Sequence, residues 1–415
     1  MRRRDTEEKD MKKFRVAVVG LGNRGSSVTN HVLLNLSRVE IVALCDEYAD
    51  RVEKMQSAVK KKTGKAPLGF TDYKVMFAEV QLDAVYVATS WETHTEISIY
   101  ALRRGVPTAM EVGGAYTIKE LWDLVKAYEE TGTPFMFMEN CCFNDKEMTV
   151  MAMAKDGVFG KIVHAEGAYA HDLREEIASG KQKRHYRLRN YLNRNCENYP
   201  THELGPIAKM LNINDGNRFV SLVSVASCSA GMEEYVAENE DKYPELKGKR
   251  FKQGDIVTTI ITCAGGESIL LRLDTTLPRY YSRKLAVRGT KGLYDMDANG
   301  VFLDGMKEVP DCFASPHKST ADILNNLENY TDKYLPDMWK NLTEEQKKAG
   351  HGGMDYFEFV AFFDALEKGE PMPINVYDAA AWMAVTILSE QSVASGGAPQ
   401  IFPDFTVGRW TKPTV

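Results

Sequence analysis

FRVAVVGLGNRGSSVTNHVLLNLSRVEIVALCD, residues Phe14–Asp46, is the stretch that decides the fold. An apolar run, Val16–Val19, leads into a turn through Gly20, Gly22 and Gly25. A helical segment to about Leu36 follows, and a second apolar run, Ile41–Leu44, ends on Asp46. Gly-x-Gly-x-x-Gly is a weak signal alone. Here it lies between a strand and a helix, with an acid 21 residues after the last glycine, which is the setting a dinucleotide fingerprint requires. Gly20 allows the tight turn, Gly22 lets backbone approach a pyrophosphate, and Gly25 lets helix and strand pack closely. The helix N-terminus offers N–H groups and positive dipole to the phosphates. Asp46 is suited to accept from an adenosine ribose. Its neighbour is Glu47 and no arginine adjoins it, so NAD is expected in preference to NADP.

Working outward, apolar strand-like runs alternate with helical patterns as far as about Asn140: Val39–Leu44, Ala84–Ala88, Pro107–Met110 and Phe135–Met138, with helical spacing in Thr95–Arg104 and Ile118–Thr131. Runs such as Ala84-Val-Tyr-Val-Ala88 are apolar throughout, as strands buried on both faces must be. The alternation predicts a Rossmann-type, doubly wound parallel sheet. Ligands bind such sheets outside the carboxyl ends of the strands. That rule selects Gly20–Gly25, Asp46, Thr89–His94, Glu111–Gly114 and Glu139–Asn140, which are expected to converge on one crevice.

Beyond residue 143 the pattern changes. A helix over about Asp145–Asp156 leads through Gly157-Val-Phe-Gly160 into β-prone stretches: Lys161–Tyr169, Phe219–Ser227, Asp255–Thr262, Ser268–Thr276 and Arg283–Arg288. In Ile269–Asp274 the residues Ile269, Leu271 and Leu273 share one face while polar residues enter the other, as in an antiparallel sheet with one covered face. The expected organisation is therefore a charged tail over 1–13, a Rossmann domain over 14–143, and an α+β domain over 144–415 with an open, largely antiparallel sheet. Helices within about 355–391 are expected to pack back on the first domain. Glu233–Lys252 is charged and reads as a surface excursion.

Composition is that of an ordinary soluble globular protein, with 44% hydrophobic and 27% charged residues. A net charge of −6 gives no reason to expect nucleic acid or an anionic membrane as partner. No run of about 18 apolar residues occurs, so no membrane span is expected. Seven cysteines, at 45, 141, 142, 196, 228, 263 and 312, lack CxxC spacing and read as reduced thiols in a cytoplasmic protein. A removed export leader is the exception to that location. No His, Asp or Cys set has metal-ligand spacing, and no metal is expected. His31, His164, His171, His185 and His317 read as structural or surface residues.

Together these features resemble the Gfo/Idh/MocA family, typified by Gly157-Val-Phe-Gly160-Lys-Ile-Val163 and Arg288-Gly-Thr-Lys-Gly292. Ordinary oxidoreductases of that family carry Glu-Lys-Pro where this chain has Glu111-Val-Gly113, so their catalytic lysine is missing. The subgroup that lacks it and is most similar is glycoside hydrolase family 109, the NAD-dependent α-N-acetylgalactosaminidases. The resemblance runs from about Lys13 to about Gln391. It is carried by Trp91-Glu-Thr-His94, Met138-Glu-Asn140, Gly167-Ala-Tyr-Ala-His-Asp-Leu-Arg174, Arg187, Tyr199-Pro-Thr-His202, Leu204-Gly-Pro206, Pro278-Arg-Tyr-Tyr-Ser-Arg283 and Gly350-His-Gly-Gly-Met-Asp355. Two departures are Cys141-Cys-Phe-Asn144, where the family more often has an aromatic and two arginines, and Cys196-Glu-Asn198 in place of a Gly-containing turn.

The resemblance implies hydrolysis by transient oxidation of a terminal sugar at C3, loss of the C2 proton, expulsion of the C1 leaving group, water addition and re-reduction. NAD-dependent glycosidases stand outside the two-carboxylate scheme. His202 is assigned to the 3-OH proton, because imidazole titrates near neutral pH. Tyr169 and Tyr199 are acid/base candidates that need a nearby cation, which Arg187 can supply. Glu139 either protonates the leaving oxygen or orders a ribose or an arginine. Tyr169, Arg187, Tyr199, Pro200, Thr201, His202 and Tyr281 carry over as substrate contacts. Gly20, Gly22, Asn23, Arg24, Gly25, Asp46, Trp91, Glu92, Thr93, His94, Glu111, Val112 and Asn140 carry over to the cofactor. His351 and Asp355 read as a capped helix start. The implied partner is the non-reducing end of a glycan, and the exposed sheet face implies a homodimer. The different-class alternatives are a net NAD-dependent sugar or inositol oxidoreductase and a catalytically silent NAD sensor.

Overall fold

Strands buried on both faces are held by the apolar runs that flank the glycine loop. The computed structural model describes residues 13–306 and 325–412; the charged tail before Lys13, Cys312 and His317 lie outside the described residues. The chain divides into two units. The first comprises the chain through Val112, Lys119–Met138 and Leu342–Val376; the second comprises Gly113–Ile118, Glu139–Asn341 and the chain from Tyr377.

In the first unit six strands form one sheet: β1 (Phe14–Val19), β2 (Val39–Cys45), β3 (Leu68–Phe70), β4 (Ala84–Val87), β5 (Thr108–Glu111) and β6 (Phe135–Met138). Their order is β3-β2-β1-β4-β5-β6 and every pairing is parallel. The order reverses between β1 and β4, the switch point at which such sheets bind ligands. Ala17, Val19, Val42, Ala43, Val85 and Val87 pack with Met76, Phe77, Ile97 and Ala101 to form a core. The first helix spans Asn23–His31 and ends earlier than expected, the chain winding on as a 3-10 turn over Leu33–Asn35.

Two glycines of the loop are required by space. A Cβ on Gly25 would lie 1.9 Å from the Gly20 carbonyl oxygen, and Gly20 itself has φ +94° and no room beside Ala88. Arg24 ties the loop to the rest of the unit. Its guanidinium meets Glu111 at 2.7 Å and Asp355 at 2.6 Å, with Glu358 at 3.8 Å. Tyr86 also donates to Glu111. Burial alone would push the Asp355 carboxyl up; Arg24 and His351 outweigh it and hold that carboxyl well below the usual carboxylate range.

The second unit holds a nine-stranded mixed sheet of β7 (Ile162–Ala170), β8 (Phe219–Ala226), β9 (Ile256–Cys263), β10 (Ser268–Asp274), β11 (Ala286–Gly289), β12 (Gly292–Asp295), β13 (Gly300–Leu303), β14 (Asn325–Asn326) and β15 (Gln400–Ile401). The order is β14-β13-β12-β11-β7-β10-β9-β8-β15, antiparallel except for β7 with β10. Ile269, Leu271 and Leu273 are buried as their alternation predicts, whereas Val225 and Ile260 lie exposed. Residues 233–252 correct the sequence reading of a surface excursion. Met232, Val236, Tyr243, Leu246 and Phe251 are buried, so the charged positions form only the outer side of a packed segment.

The Arg24 hub has a measurable consequence. A carboxyl whose folded pKa is depressed contributes stability that is present above its unfolded pKa and lost as pH falls towards the folded value. Asp355→Asn is expected to lower stability at neutral pH and to flatten the loss of stability below about pH 4. Denaturant titrations of both proteins between neutral and acid pH check this.

Candidate functional site

In the first unit the residues selected by the strand-end rule do gather at the carboxyl edge of the sheet. Gly20–Gly25 follow β1, Asp46 follows β2, Thr89–His94 follow β4, and Glu111–Val112 end β5. The helix Asn23–His31 has no side-chain cap at its N-terminus, so its first N–H groups remain for a ligand. A Cβ on Gly22 would meet only Arg51 Nη1, at 3.8 Å, leaving the backbone there open to close approach. Thr89 Oγ1 and both ring nitrogens of His94 are buried without a hydrogen-bond partner among the described residues. These features fit a dinucleotide: an open Gly22, an uncapped helix start and unsatisfied polar atoms beside β4.

The acid after β2 is more occupied than its sequence position implies. Asp46 Oδ2 accepts from the Leu21 N–H at 2.6 Å and Oδ1 from the Tyr48 N–H at 3.0 Å. A carboxylate has about four acceptor sites, so capacity for ribose hydroxyls remains. Arg51 Nη1 lies 3.6 Å from Asp46, and its guanidinium stacks on Tyr48. An arginine does stand by the acid, brought back by one turn of the helix Ala49–Thr63. Arg24 and Glu111, both assigned to the cofactor, bond to each other. Burial pushes the His94 imidazole down to about 4, so it is neutral. Val112 is buried and offers no proton at the position of the missing lysine.

In the second unit a separate cluster forms. Glu139 and Asn140 open a 3-10 turn, Asn140–Phe143, whose N-cap is Glu139. His202 is the second residue of the helix Thr201–Met210. Its Nδ1 lies 2.7 Å from Glu139 Oε1, and Glu139 is fully buried. Two glycines allow this approach. A Cβ on Gly205 would sit 2.9 Å from Glu139 Cγ and 3.1 Å from Cys142 Sγ; one on Gly167 of β7 would sit 2.9 Å from Glu203 Cβ. Burial alone would raise the Glu139 carboxyl. His202, Thr201 and the Cys141 N–H overcome it and hold Glu139 below the usual carboxylate range.

Tyr199 hydroxyl lies 3.4 Å from His202 Nε2, and its ring lies 4.7 Å from that of Tyr169. Arg187 places its guanidinium 4.8 Å from the Tyr199 ring centroid and 6.0 Å from that of Tyr169, and pairs with Glu176 at 2.7 Å. The cation therefore faces the rings. Burial lifts the Tyr169 and Tyr199 phenols well above their ordinary value despite Arg187, so the arginine does not bring either phenol towards neutral pH. Tyr281 packs edge-on to His171, and its hydroxyl accepts from Arg283 at 3.0 Å. Pro200 is the N-cap of the helix that carries Thr201 and His202.

Three residues were missed. His171, read as structural or surface, bonds to the Tyr169 hydroxyl at 3.4 Å. Its imidazole is pushed down by burial and by Arg187. Glu197 and Glu203 flank the Tyr199–His202 motif, buried and with no hydrogen-bond partner for their carboxylate oxygens among the described residues. Burial raises both, and the charge of Glu197 raises Glu203 further. Glu139 is thus the carboxyl that carries charge beside His202. The period-2 run Gly167-Ala-Tyr-Ala-His171 was the available signal for His171, since it puts Tyr169 and His171 on one face; nothing in the sequence marks the two acids.

Comparison with known proteins places this arrangement. Residues 143–412 match the family description "Glycosyl hydrolase 109, C-terminal domain", and residues 14–138 match "Oxidoreductase family, NAD-binding Rossmann fold". The chain is 36% identical to the α-N-acetylgalactosaminidase of Tannerella forsythia over 96% of its own length and 87% of the relative's. It is 36% identical to that of Bacteroides fragilis over 96% and 93%. Among solved structures, myo-inositol 2-dehydrogenase from Lactobacillus plantarum superposes with a TM-score of 0.64 at 16% identity, covering 94% of this chain and 100% of that one. A scyllo-inositol dehydrogenase from Lactobacillus casei with NAD(H) gives 0.65 at 12%, covering 94% and 99%. At that identity the likeness shows a shared fold.

The glycines make two separable predictions. Gly22→Ala is expected to leave thermal unfolding unchanged and to weaken NAD binding by at least about tenfold, an effect of roughly 1.4 kcal/mol, read by calorimetric titration. Gly205→Ala is expected to cost about 1–3 kcal/mol of stability through overpacking and to lower turnover by pushing the helix Thr201–Met210 off Glu139. Its NAD affinity should stay within twofold, and a large fall there would contradict the assignment.

Proposed function

The chain belongs to glycoside hydrolase family 109, and from that premise we propose that it removes terminal α-N-acetylgalactosamine, or a closely related sugar, from glycans in a cycle that returns its NAD unchanged. The observation that carries the reading is the half-buried His202 paired with the buried Glu139, set beside Tyr199 and Tyr169 and in a chain with no lysine after Glu111. The residues of the first unit proposed to hold the cofactor are Gly20–Gly25, Asp46, Trp91–His94, Glu111 and Val112. When bound, it supplies reversible oxidation at the sugar's C3.

What remains for the side chains is proton traffic. In neutral His202 an Nδ1–H donated to ionised Glu139 leaves Nε2 with a lone pair, a tautomer assigned from the hydrogen bond. Nε2 then takes the C3 hydroxyl proton, and Glu139 stabilises the imidazolium that results. This gives Glu139 an orienting role and withdraws it as the leaving-group acid, because that task needs a raised pKa. Loss of the C2 proton to solvent water, which in turn protonates the leaving oxygen, places charge on the C3 oxygen. Arg187 and the neutral Tyr199 and Tyr169 hydroxyls are the groups proposed to stabilise that charge. Tyr281, Pro200 and Thr201 complete the proposed sugar contacts.

Purified protein with p-nitrophenyl α-N-acetylgalactosaminide and no added cofactor should release nitrophenol without accumulating NADH. Sustained NADH production from free sugar and NAD, with no glycoside cleavage, would instead identify a net oxidoreductase. Run in deuterium oxide, the reaction should deliver product deuterated at C2; an undeuterated product excludes the elimination route. His202→Ala is expected to lower turnover by about 10²- to 10⁴-fold while NAD binding persists.

A further inference from the structure

We infer that Glu139, Cys141 and His202 form a binding site for a borderline-soft divalent cation, of which Zn²⁺ is the type, and that its occupation inhibits the enzyme. A carboxylate oxygen of Glu139, the Cys141 sulfur and a ring nitrogen of His202 all lie within 4.8 Å of one another, and among the described residues they are the one such group. Tetrahedral zinc with bonds of about 2.0–2.3 Å sets its ligand atoms roughly 3.3–3.8 Å apart. The 2.7 Å Glu139–His202 distance would therefore open by about 0.6 Å, and the sulfur, within 4.8 Å of both, would close by no more than about 1.5 Å.

The donor set is selective. One thiolate, one imidazole and one carboxylate suit Zn²⁺ or Co²⁺, whereas Mg²⁺ and Ca²⁺ take oxygen ligands alone. Three protein ligands also leave a fourth position for water. Two of the ligands are nearly fixed. Glu139 and Cys141 are buried, and the Cys141 N–H bonds the Glu139 carboxylate at 3.1 Å. His202 keeps 15% of its side-chain surface open, which provides the entry side. Cys141 Sγ now donates to Asn140 Oδ1 at 3.5 Å, a contact weak enough to exchange.

Binding releases the thiol proton to solvent, shifts the His202 proton from Nδ1 to Nε2 so that Nδ1 can ligate, and separates the carboxylate from the imidazole; no oxidant or reductant takes part. The same two side chains are those proposed to move the C3 hydroxyl proton, so a bound cation blocks that step. The inhibition rests on the function proposed above. The site rests only on the three ligands and can be tested without activity.

The metal-free, EDTA-washed protein is titrated with Co²⁺ and followed by the thiolate-to-cobalt charge-transfer absorption, and in parallel with Zn²⁺ in the glycosidase assay. One equivalent of Co²⁺ should produce the band, and Zn²⁺ should displace it and inhibit reversibly on EDTA addition. Cys141→Ser and Cys141→Ala should abolish the band and raise the half-inhibiting Zn²⁺ concentration by about 10- to 100-fold, the scale on which weakened metal sites respond. Cys228→Ser, which removes the exposed thiol, should leave the band intact. A band that vanishes in Cys228→Ser, or survives in either folded Cys141 variant, overturns the site. If neither Cys141 variant folds, Glu139→Gln decides: cobalt affinity falls at least tenfold or the site is wrong. A normal cobalt band in a protein that cleaves no glycoside leaves the site standing and removes the function proposed above.

Discussion

A single hydrogen bond, His202 Nδ1 to Glu139 at 2.7 Å, constrains most of the second unit. An ionised carboxylate without solvent contact is expensive unless its acceptor sites are filled. Glu139 meets that condition at Oε1, which takes His202 and the Cys141 N–H, and Thr201 also favours its charge, while Oε2 has no hydrogen-bond partner among the described residues. Each of these partners demands a particular backbone. The Cys141 N–H requires the 3-10 turn at 140–143. Thr201 and His202 require the first turn of a helix brought within contact of that turn, and the contact exists because residue 205 has no side chain. Removing one partner of such a pair costs about 3–5 kcal/mol, so the packing and the reactive geometry are the same structure.

The first unit solves a different problem. Its glycine loop has to stay open at Gly22 yet remain rigid. Rigidity comes from contacts that need no ligand: Gly20 against Ala88, Gly25 against Gly20, the Leu21 N–H on Asp46, and Arg24 on Glu111 and Asp355. Arg24 is the informative residue. Its position within the fingerprint suggests a phosphate ligand, but its guanidinium is engaged by carboxylates inside the unit. It acts on the loop's shape, and the loop's backbone N–H groups and Asp46 keep capacity to accept a ligand.

The sheet was legible because burial on two faces leaves a continuous apolar signature, and the alternation in Ile269–Asp274 marked the one-sided sheet equally well. Motif residues were legible as names: Tyr169, Arg187, Tyr199 and His202 do come together. Their roles were not. Whether Glu139 is raised or lowered depends on what faces it, and its principal partner lies 63 positions along the chain. Arg187 illustrates the same limit. Its charge could be read from sequence, but its approach to the ring faces of Tyr199 and Tyr169 could not, and burial then dominates both phenols. Glu197 and Glu203 gave no signal, since a glutamate looks the same in sequence whether it is buried or solvated. The surface reading of 233–252 held for its charged positions, none of which is buried, and overlooked the apolar side formed by Val236, Tyr243, Leu246 and Phe251.

The fold is shared with inositol dehydrogenases that superpose at 12–16% identity, so the fold alone does not select hydrolysis over net oxidation. The selection has to lie in groups that accept and return protons. At the position after Glu111 the chain presents Val112, buried and without a titratable atom. Two residues on, a Cβ on Gly114 would lie 3.0 Å from Thr386 Cγ2 and 3.1 Å from the Asn198 carbonyl oxygen, a tight fit for any side chain there. Under the function proposed above, the base is therefore not at the end of β5 but is the His202 imidazole, whose partner carboxylate is held below the usual carboxylate range. An imidazole so held can give back the proton it takes. A cycle that ends with its cofactor unchanged requires that reversibility, and a dehydrogenase that exports its reducing equivalents does not.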